Sequence, residues 1–145
     1  MTVGAGEGAL WLALGVVLAV PYIAVGRRLE GDAAWWWVGG LVVAAFAYVS
    51  FAVARSAPAA AIGFEVAGVA LYGGLAARGL RGDARWIALA WLLHPVWDVG
   101  MHRPGAYAYA PTAYVLLCLT FDLAVGLFLL GSRPRGRAFA GDTDS

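Results

Sequence analysis

The sequence predicts an all-α fold: an integral membrane helical bundle with five transmembrane helices, its N-terminus outside and its C-terminus inside the cell. Three observations support this. Hydrophobic residues make up 62% of the 145 residues and charged residues only 13%, whereas a soluble domain is nearer half apolar. Five apolar runs approach the ~20 residues that cross a bilayer. The breaks between them are short and polar, and alternate breaks carry most of the basic residues.

Each run is a predicted helix because it is apolar throughout and is bounded by charged residues, glycine or proline. The breaks have the sequences GRRLEGDAA, ARSAP, RGLRGDAR and HRPGAYAYAP. The fourth run is short for a span, and it lengthens when His102 is included. The predicted spans are Ala9–Val25, Trp35–Ala54, Ala59–Ala77, Trp86–Met101 and Ala110–Leu130.

The arginine distribution predicts the orientation. Eight of the ten basic residues lie in the first loop, the third loop and the C-terminal tail, and only Arg55 and Arg103 lie on the other side. The positive-inside rule places the arginine-rich side in the cytoplasm. Aromatic residues then fall at both membrane interfaces, as an aromatic belt requires. They are Trp35–Trp37 and Trp86 on the inner side, and Tyr107 and Tyr109 on the outer side.

The domain organisation follows from the same pattern. Residues 1–131 are predicted to form one transmembrane domain, and residues 132–145 a polar cytoplasmic tail that is disordered. The N-terminal residues lack the basic region of a signal peptide, so we expect the first run to be a retained span. A multi-pass protein of the plasma membrane has the lipid bilayer as its main partner. The net charge of +1 gives no indication of nucleic-acid binding.

Ionisable residues inside the predicted spans indicate where function should be sought. Such groups are costly at membrane depth and by default mark a functional site. Glu65 lies in the third span, His94 and Asp98 in the fourth, and Asp122 in the fifth. His94, Asp98 and His102 are four residues apart and therefore share one helical face. The topology predicts that Glu65, His94 and Asp98 form a layer in the outer half of the membrane, with Asp122 somewhat below it and His102 at its entrance.

The first hypothesis is a metal site. His94, Asp98, His102 and Glu65 are the candidate ligands, since imidazole and carboxylate groups from several helices suit zinc, iron or manganese. Two residues four apart on a helix can share one ion. A divalent transition metal held there could activate water against a lipid-like small molecule.

The second hypothesis is metal-free acid–base catalysis, of the isomerase or cyclase type, on a terpenoid or another lipid. Burial would keep Glu65 or Asp122 protonated as the acid, and a neighbouring carboxylate or His94 would act as the base. Aromatic side chains would line the pocket, and its tryptophans would stabilise cationic intermediates. The predicted catalytic residues are Glu65, His94, Asp98 and Asp122, and the predicted pocket-lining residues are Tyr72, Trp91, Trp97 and Tyr114.

The third hypothesis is not enzymatic: a proton or ion relay, or a structural subunit of a membrane complex. Five spans are few for a transporter, so transport would require a homo-oligomer. The chain has no phosphate-binding glycine loop and no G-x-S-x-G, H-E-x-x-H or CxxC motif. The residues alone therefore leave the three hypotheses open.

Three segments carry a resemblance to a known family. They are EVAGVALYGGLAARGLR (65–81), AWLLHPVWDVGMH (90–102) and CLTFDLAVG (118–126). They resemble DUF6010, a family of small bacterial membrane proteins of unknown function. The resemblance implies a helical membrane protein with motif positions at Glu65, His94, Trp97, Asp98, His102, Phe121 and Asp122. The family pattern often has a second histidine after the His102 position, and Arg103 in its place weakens a metal site at the outer end.

Overall fold

The computed structural model describes residues 4–29, 33–102 and 109–132, and all regular secondary structure in these ranges is helical. The predicted all-α fold is confirmed, and each predicted span lies almost entirely within one helix. The predicted disordered tail and the loop that contains Arg103 and Tyr107 lie outside the described residues, apart from Ser132 at the start of the tail. In chain order the helices are α1 (Ala5–Arg28), α2 (Ala33–Ala54), α3 (Ala59–Arg81), α4 (Arg85–Met101) and α5 (Thr112–Gly131).

Four of these helices, α1, α2, α3 and α5, are long and apolar enough to cross a membrane. Helix α4 has 17 residues, which corresponds to about 26 Å of helix, against a hydrocarbon core of about 30 Å. It ends where the His102 N–H bonds to the Asp98 carbonyl, 2.9 Å away. The described helices are therefore those of a membrane protein, with α4 the shortest of them.

Neighbouring helices in the bundle do not follow chain order. Helix α1 packs mainly on α5, α5 on α4, α4 on α3, and α3 on α2. Smaller contacts join α1 to α2 and α2 to α4. Helix α4 thus lies between α3 and α5 and also touches α2. Because three helices surround it, the polar face of α4 can meet side chains from all of them.

A close approach of α4 and α5 depends on Gly126. A Cβ atom at this position would lie 2.7 Å from side-chain atoms of Leu92 and 3.2 Å from its backbone nitrogen. A residue with a side chain would therefore push the two helices apart. The glycine lies four residues after Asp122, so the close approach brings Asp122 of α5 beside His94 of α4.

An aromatic core packs the bundle near the start of α2. The Trp91 indole N–H donates to the Trp37 carbonyl at 3.1 Å. Tyr22 and Trp36 bond reciprocally, each donating from its side chain to the carbonyl of the other, at 2.9 Å and 3.2 Å. Trp37 is only 7% exposed, whereas Trp35 is 65% exposed. Of the predicted belt residues at this end, Trp37 therefore belongs to the core and Trp35 to the surface.

Candidate functional site

The polar face of α4 supplies the centre of the site. His94 and Asp98 are one turn apart, and both side chains are fully buried. Their spacing of four residues follows directly from the sequence, and it places His94 Nδ1 3.5 Å from Asp98 Oδ2. The predicted shared face of His94 and Asp98 is thus present, and it points into the bundle.

Asp122 of α5 completes a three-residue group, which we call the inner cluster: His94, Asp98 and Asp122. His94 Nδ1 lies 2.7 Å from Asp122 Oδ2. One ligand atom from each of the three residues lies within 4.8 Å of the others, and all three residues are buried. One imidazole and two carboxylates therefore converge on one small volume.

Two tyrosines flank the inner cluster. The Tyr48 hydroxyl of α2 donates to Asp98 Oδ2 at 2.7 Å. The Tyr72 ring of α3 meets the His94 ring edge-on, with ring centres 5.1 Å apart. Four helices, α2, α3, α4 and α5, thus position the cluster and its immediate neighbours, so its geometry depends on the packing of the whole bundle.

Several polar atoms at the inner cluster have no hydrogen-bond partner among the described residues. They are His94 Nε2, Asp98 Oδ1, Asp122 Oδ1 and the Tyr72 hydroxyl. Buried polar atoms are normally paired, and each exception needs an explanation. These unpaired atoms therefore call for a partner that the protein itself does not supply, such as an ion or a water molecule.

A second polar group, the outer cluster, consists of Glu65, His102 and Tyr109. His102 Nε2 lies 3.3 Å from Glu65 Oε1, and the Tyr109 hydroxyl donates to the same oxygen. Glu65 is 3% exposed and Tyr109 7%. Tyr48 joins the two clusters, because its ring stacks on the His102 ring at 4.6 Å while its hydroxyl bonds to Asp98.

Comparison with known families gives one result. Residues 10–135 match the family described as "Family of unknown function (DUF6010)". The chain belongs to this family. The resemblance predicted from the motifs is confirmed, and the matched range includes both polar clusters. No curated protein and no solved structure matches the chain. Because DUF6010 is a family of unknown function, membership of it assigns no activity to the chain.

The predicted site residues of this DUF6010 protein fall into two groups. His94, Asp98 and Asp122 lie together in the inner cluster. Glu65 and His102, which the sequence groups with His94 and Asp98 as metal ligands, instead contact each other. Of the three residues predicted to share a layer, His94 and Asp98 therefore lie in the inner cluster and Glu65 in the outer cluster, and Tyr48 links the two clusters. The roles of all five residues stay predictions.

The predicted pocket-lining residues also differ in position. Tyr72 contacts His94, and the Trp97 ring meets the Tyr72 ring edge-on with centres 6.3 Å apart. The Tyr114 ring lies 5.4 Å from that of Tyr48. The Trp91 ring instead packs against Phe121 at 5.9 Å. Three of the four predicted residues therefore adjoin the inner cluster or its tyrosines, whereas Trp91 belongs to the aromatic core.

Sequence reasoning misses two residues of the DUF6010 site. The second span contains no acidic or basic residue that would draw attention to Tyr48, and the position of Tyr109 predicts a place in the outer aromatic belt. Both are buried tyrosines with hydroxyls that bond to carboxylates. A buried tyrosine hydroxyl needs a partner, so a tyrosine in the middle of an apolar run indicates a polar neighbour on another helix.

Proposed function

We propose that this DUF6010 protein binds a divalent transition metal ion inside the membrane, with His94, Asp98 and Asp122 as ligands. The observation that carries the proposal is the convergence of their three ligand atoms within 4.8 Å in a fully buried setting. The proposal includes five spans in the plasma membrane with the N-terminus outside. The arginine distribution and the position of α4 between α3 and α5 support that topology.

Charge compensation favours a cation at the inner cluster. Asp98 and Asp122 are both fully buried, and an isolated buried carboxylate is very costly unless it is paired or coordinates a metal. No arginine lies among the buried residues described. Two ionised carboxylates, a neutral imidazole and a divalent cation have a net charge of zero. Even a protonated His94 would leave these side chains with a net charge of −1, so a divalent metal ion compensates the two carboxylates more fully than His94 can.

The donor atoms fit zinc, iron or manganese. An imidazole nitrogen and carboxylate oxygens bind all three metals, whereas calcium and magnesium prefer oxygen ligands alone. The oxygens Asp98 Oδ1 and Asp122 Oδ1, which have no partner among the described residues, add further donor capacity. When bound, such a metal would supply a Lewis acid that activates water.

The size of the ligand is restricted by burial. The side chains of His94, Asp98 and Asp122 are 0% exposed. A lipid or terpenoid would reach them only if the helices separated, whereas an ion or a water molecule needs far less room. The geometry therefore favours the metal hypothesis over acid–base catalysis on a lipid, which stays a prediction.

Equilibrium dialysis of the full chain in a mild detergent tests the proposal. After removal of metal with a chelator, zinc, manganese and iron(II) are offered separately, and we expect one ion per chain for at least one of them. The replacement Asp83→Asn serves as a control, because it removes a carboxylate of the α3–α4 turn, outside both clusters. The absence of saturable binding for all three metals would disprove the proposal.

Tyr48→Phe is expected to weaken metal binding about 10- to 100-fold, the usual effect of losing a hydrogen bond to a ligand. The change removes the donor to Asp98 Oδ2 and retains the ring that stacks on His102. Tyr114→Phe is the matched control, since the Tyr114 hydroxyl contacts the Ala44 carbonyl at 3.5 Å and the Cys118 side chain, neither of which is a proposed ligand. Competition with a fluorescent zinc indicator measures both affinities. Equal affinities for the two variants would contradict a role of Tyr48 in orienting Asp98.

A proton relay is the second candidate, and one observation favours it. Contacts run without a break from Glu65 through His102, Tyr48 and Asp98 to His94. The step between His102 and Tyr48 is ring stacking, so a relay would need a water molecule to carry the proton past it. Proton flux into liposomes that contain the protein, measured with a pH-sensitive dye in the presence of a chelator, distinguishes the two: flux without metal binding supports the relay.

A further inference from the structure

A groove lies at the turn between α3 and α4, away from both polar clusters, and has a volume of about 530 Å³. Two arginines from the last turn of α3 line it, Arg78 and Arg81. They are three residues apart and therefore share one side of the helix. Trp86, in the first turn of α4, also lines the groove. The groove thus combines two cationic groups with one indole ring.

The arginine side chains are available to an anion. The Arg78 guanidinium carbon lies 4.5 Å from the centre of the Trp86 ring, and this cation–π contact fixes its position without neutralising its charge. The one carboxylate in the groove, Asp83, accepts a hydrogen bond from the backbone N–H of Arg85 at 2.9 Å. Two positive charges against one engaged carboxylate leave the groove positive.

The floor of the groove is apolar. Gly74 and Ala77 line it on the same side of α3 as the arginines, one turn further into the helix. A Cβ atom at Gly74 would meet nothing within 4 Å, so this side of α3 is open. An amphiphile could therefore place an anionic group between the arginines and its hydrocarbon chain along Gly74 and Ala77.

We propose that this groove binds an anionic phospholipid, with its phosphate at Arg78 and Arg81. The helix ends there, at the depth where lipid headgroups lie, and tryptophan favours the same depth. Under the proposed topology the groove faces the cytoplasmic leaflet, where anionic lipids attract basic side chains. This site is separate from the metal site, so it rests on the proposed topology but not on metal binding.

Native mass spectrometry of the full chain in detergent, titrated with phosphatidylglycerol or phosphatidylcholine, tests the proposal. We expect the wild type to prefer phosphatidylglycerol, and the double variant Arg78→Gln/Arg81→Gln to bind it about 30-fold more weakly. The matched control is Arg27→Gln/Arg28→Gln, which removes two arginines from the end of α1 on the same predicted side. The control is expected to retain the preference.

Three results would overturn the lipid site. One is equal affinity of the wild type for the two lipids. Another is equal weakening by the two double variants, which would show attraction to net charge alone. The third is displacement of the lipid by an equal concentration of inorganic phosphate, which would assign the groove to a free anion. Gly74→Leu gives a second test that retains both arginines: it should weaken phosphatidylglycerol binding by obstructing the acyl chain.

Discussion

Asp122→Asn is expected to lower the metal affinity by more than about 100-fold. Loss of a residue that only orients a ligand already lowers metal affinity by about 10- to 100-fold, and Asp122 is a proposed ligand itself. Asparagine has nearly the same shape as aspartate and can retain the contact with His94, now 2.7 Å in length. It removes the negative charge that a divalent cation requires. His94→Gln and Asp98→Asn should have effects of similar size. Equilibrium dialysis with the metal that the wild type binds measures the change.

Glu65→Gln is the matched control for Asp122→Asn. It makes the same change from carboxylate to amide, also at a buried position, but in the outer cluster. We expect its metal affinity to stay within a few-fold of the wild type. Circular dichroism and size-exclusion elution establish that each variant is folded. An equal loss of binding in both variants would restore Glu65 as a ligand, as the sequence alone predicts.

Trp91→Ala is expected to lower the free energy of unfolding by about 3–5 kcal/mol, the usual cost of removing a large core side chain. The Trp91 side chain is 0% exposed, and its N–H bonds to the Trp37 carbonyl between α4 and α2. Packing is the main force that joins helices in a membrane, so the cavity left by Trp91 should lower the free energy of unfolding by this full amount. Titration with sodium dodecyl sulfate, followed by loss of helical circular dichroism, measures the change.

Trp35→Ala is the control for Trp91→Ala, because Trp35 is 65% exposed and its replacement should change the stability by only about 0.5 kcal/mol. The pair also tests the role of Trp91. If Trp91→Ala leaves stability unchanged and abolishes ligand binding, Trp91 lines a binding pocket, as the sequence predicts. Loss of stability with metal binding retained in the folded fraction assigns it to the core.

The sequence predicts the helices well because each is an apolar run with polar ends, and both properties are local. It also identifies ionisable residues that are buried in the bundle, since an ionisable residue inside an apolar run seldom faces lipid. Glu65, His94, Asp98 and Asp122 are all at most 3% exposed. These predictions need no knowledge of which helices are neighbours.

The grouping of these residues could not be predicted, because it depends on helix pairing. Estimates of depth place Glu65 with His94, and in the structure Asp122 takes that position. The reason is the close approach of α4 and α5 at Gly126, which no spacing within one helix reveals. Tyr48 enters the site for a similar reason, since only the contact of α2 with α4 brings its hydroxyl to Asp98.

The most direct test of the central claim is the metal content of the protein as it is isolated from cells, in mild detergent and without added metal. Elemental analysis should find close to one zinc, iron or manganese ion per wild-type chain. The same preparation of Asp122→Asn should contain almost none. A wild-type protein without any of these metals, isolated from cells grown with all three in excess, would contradict the metal site.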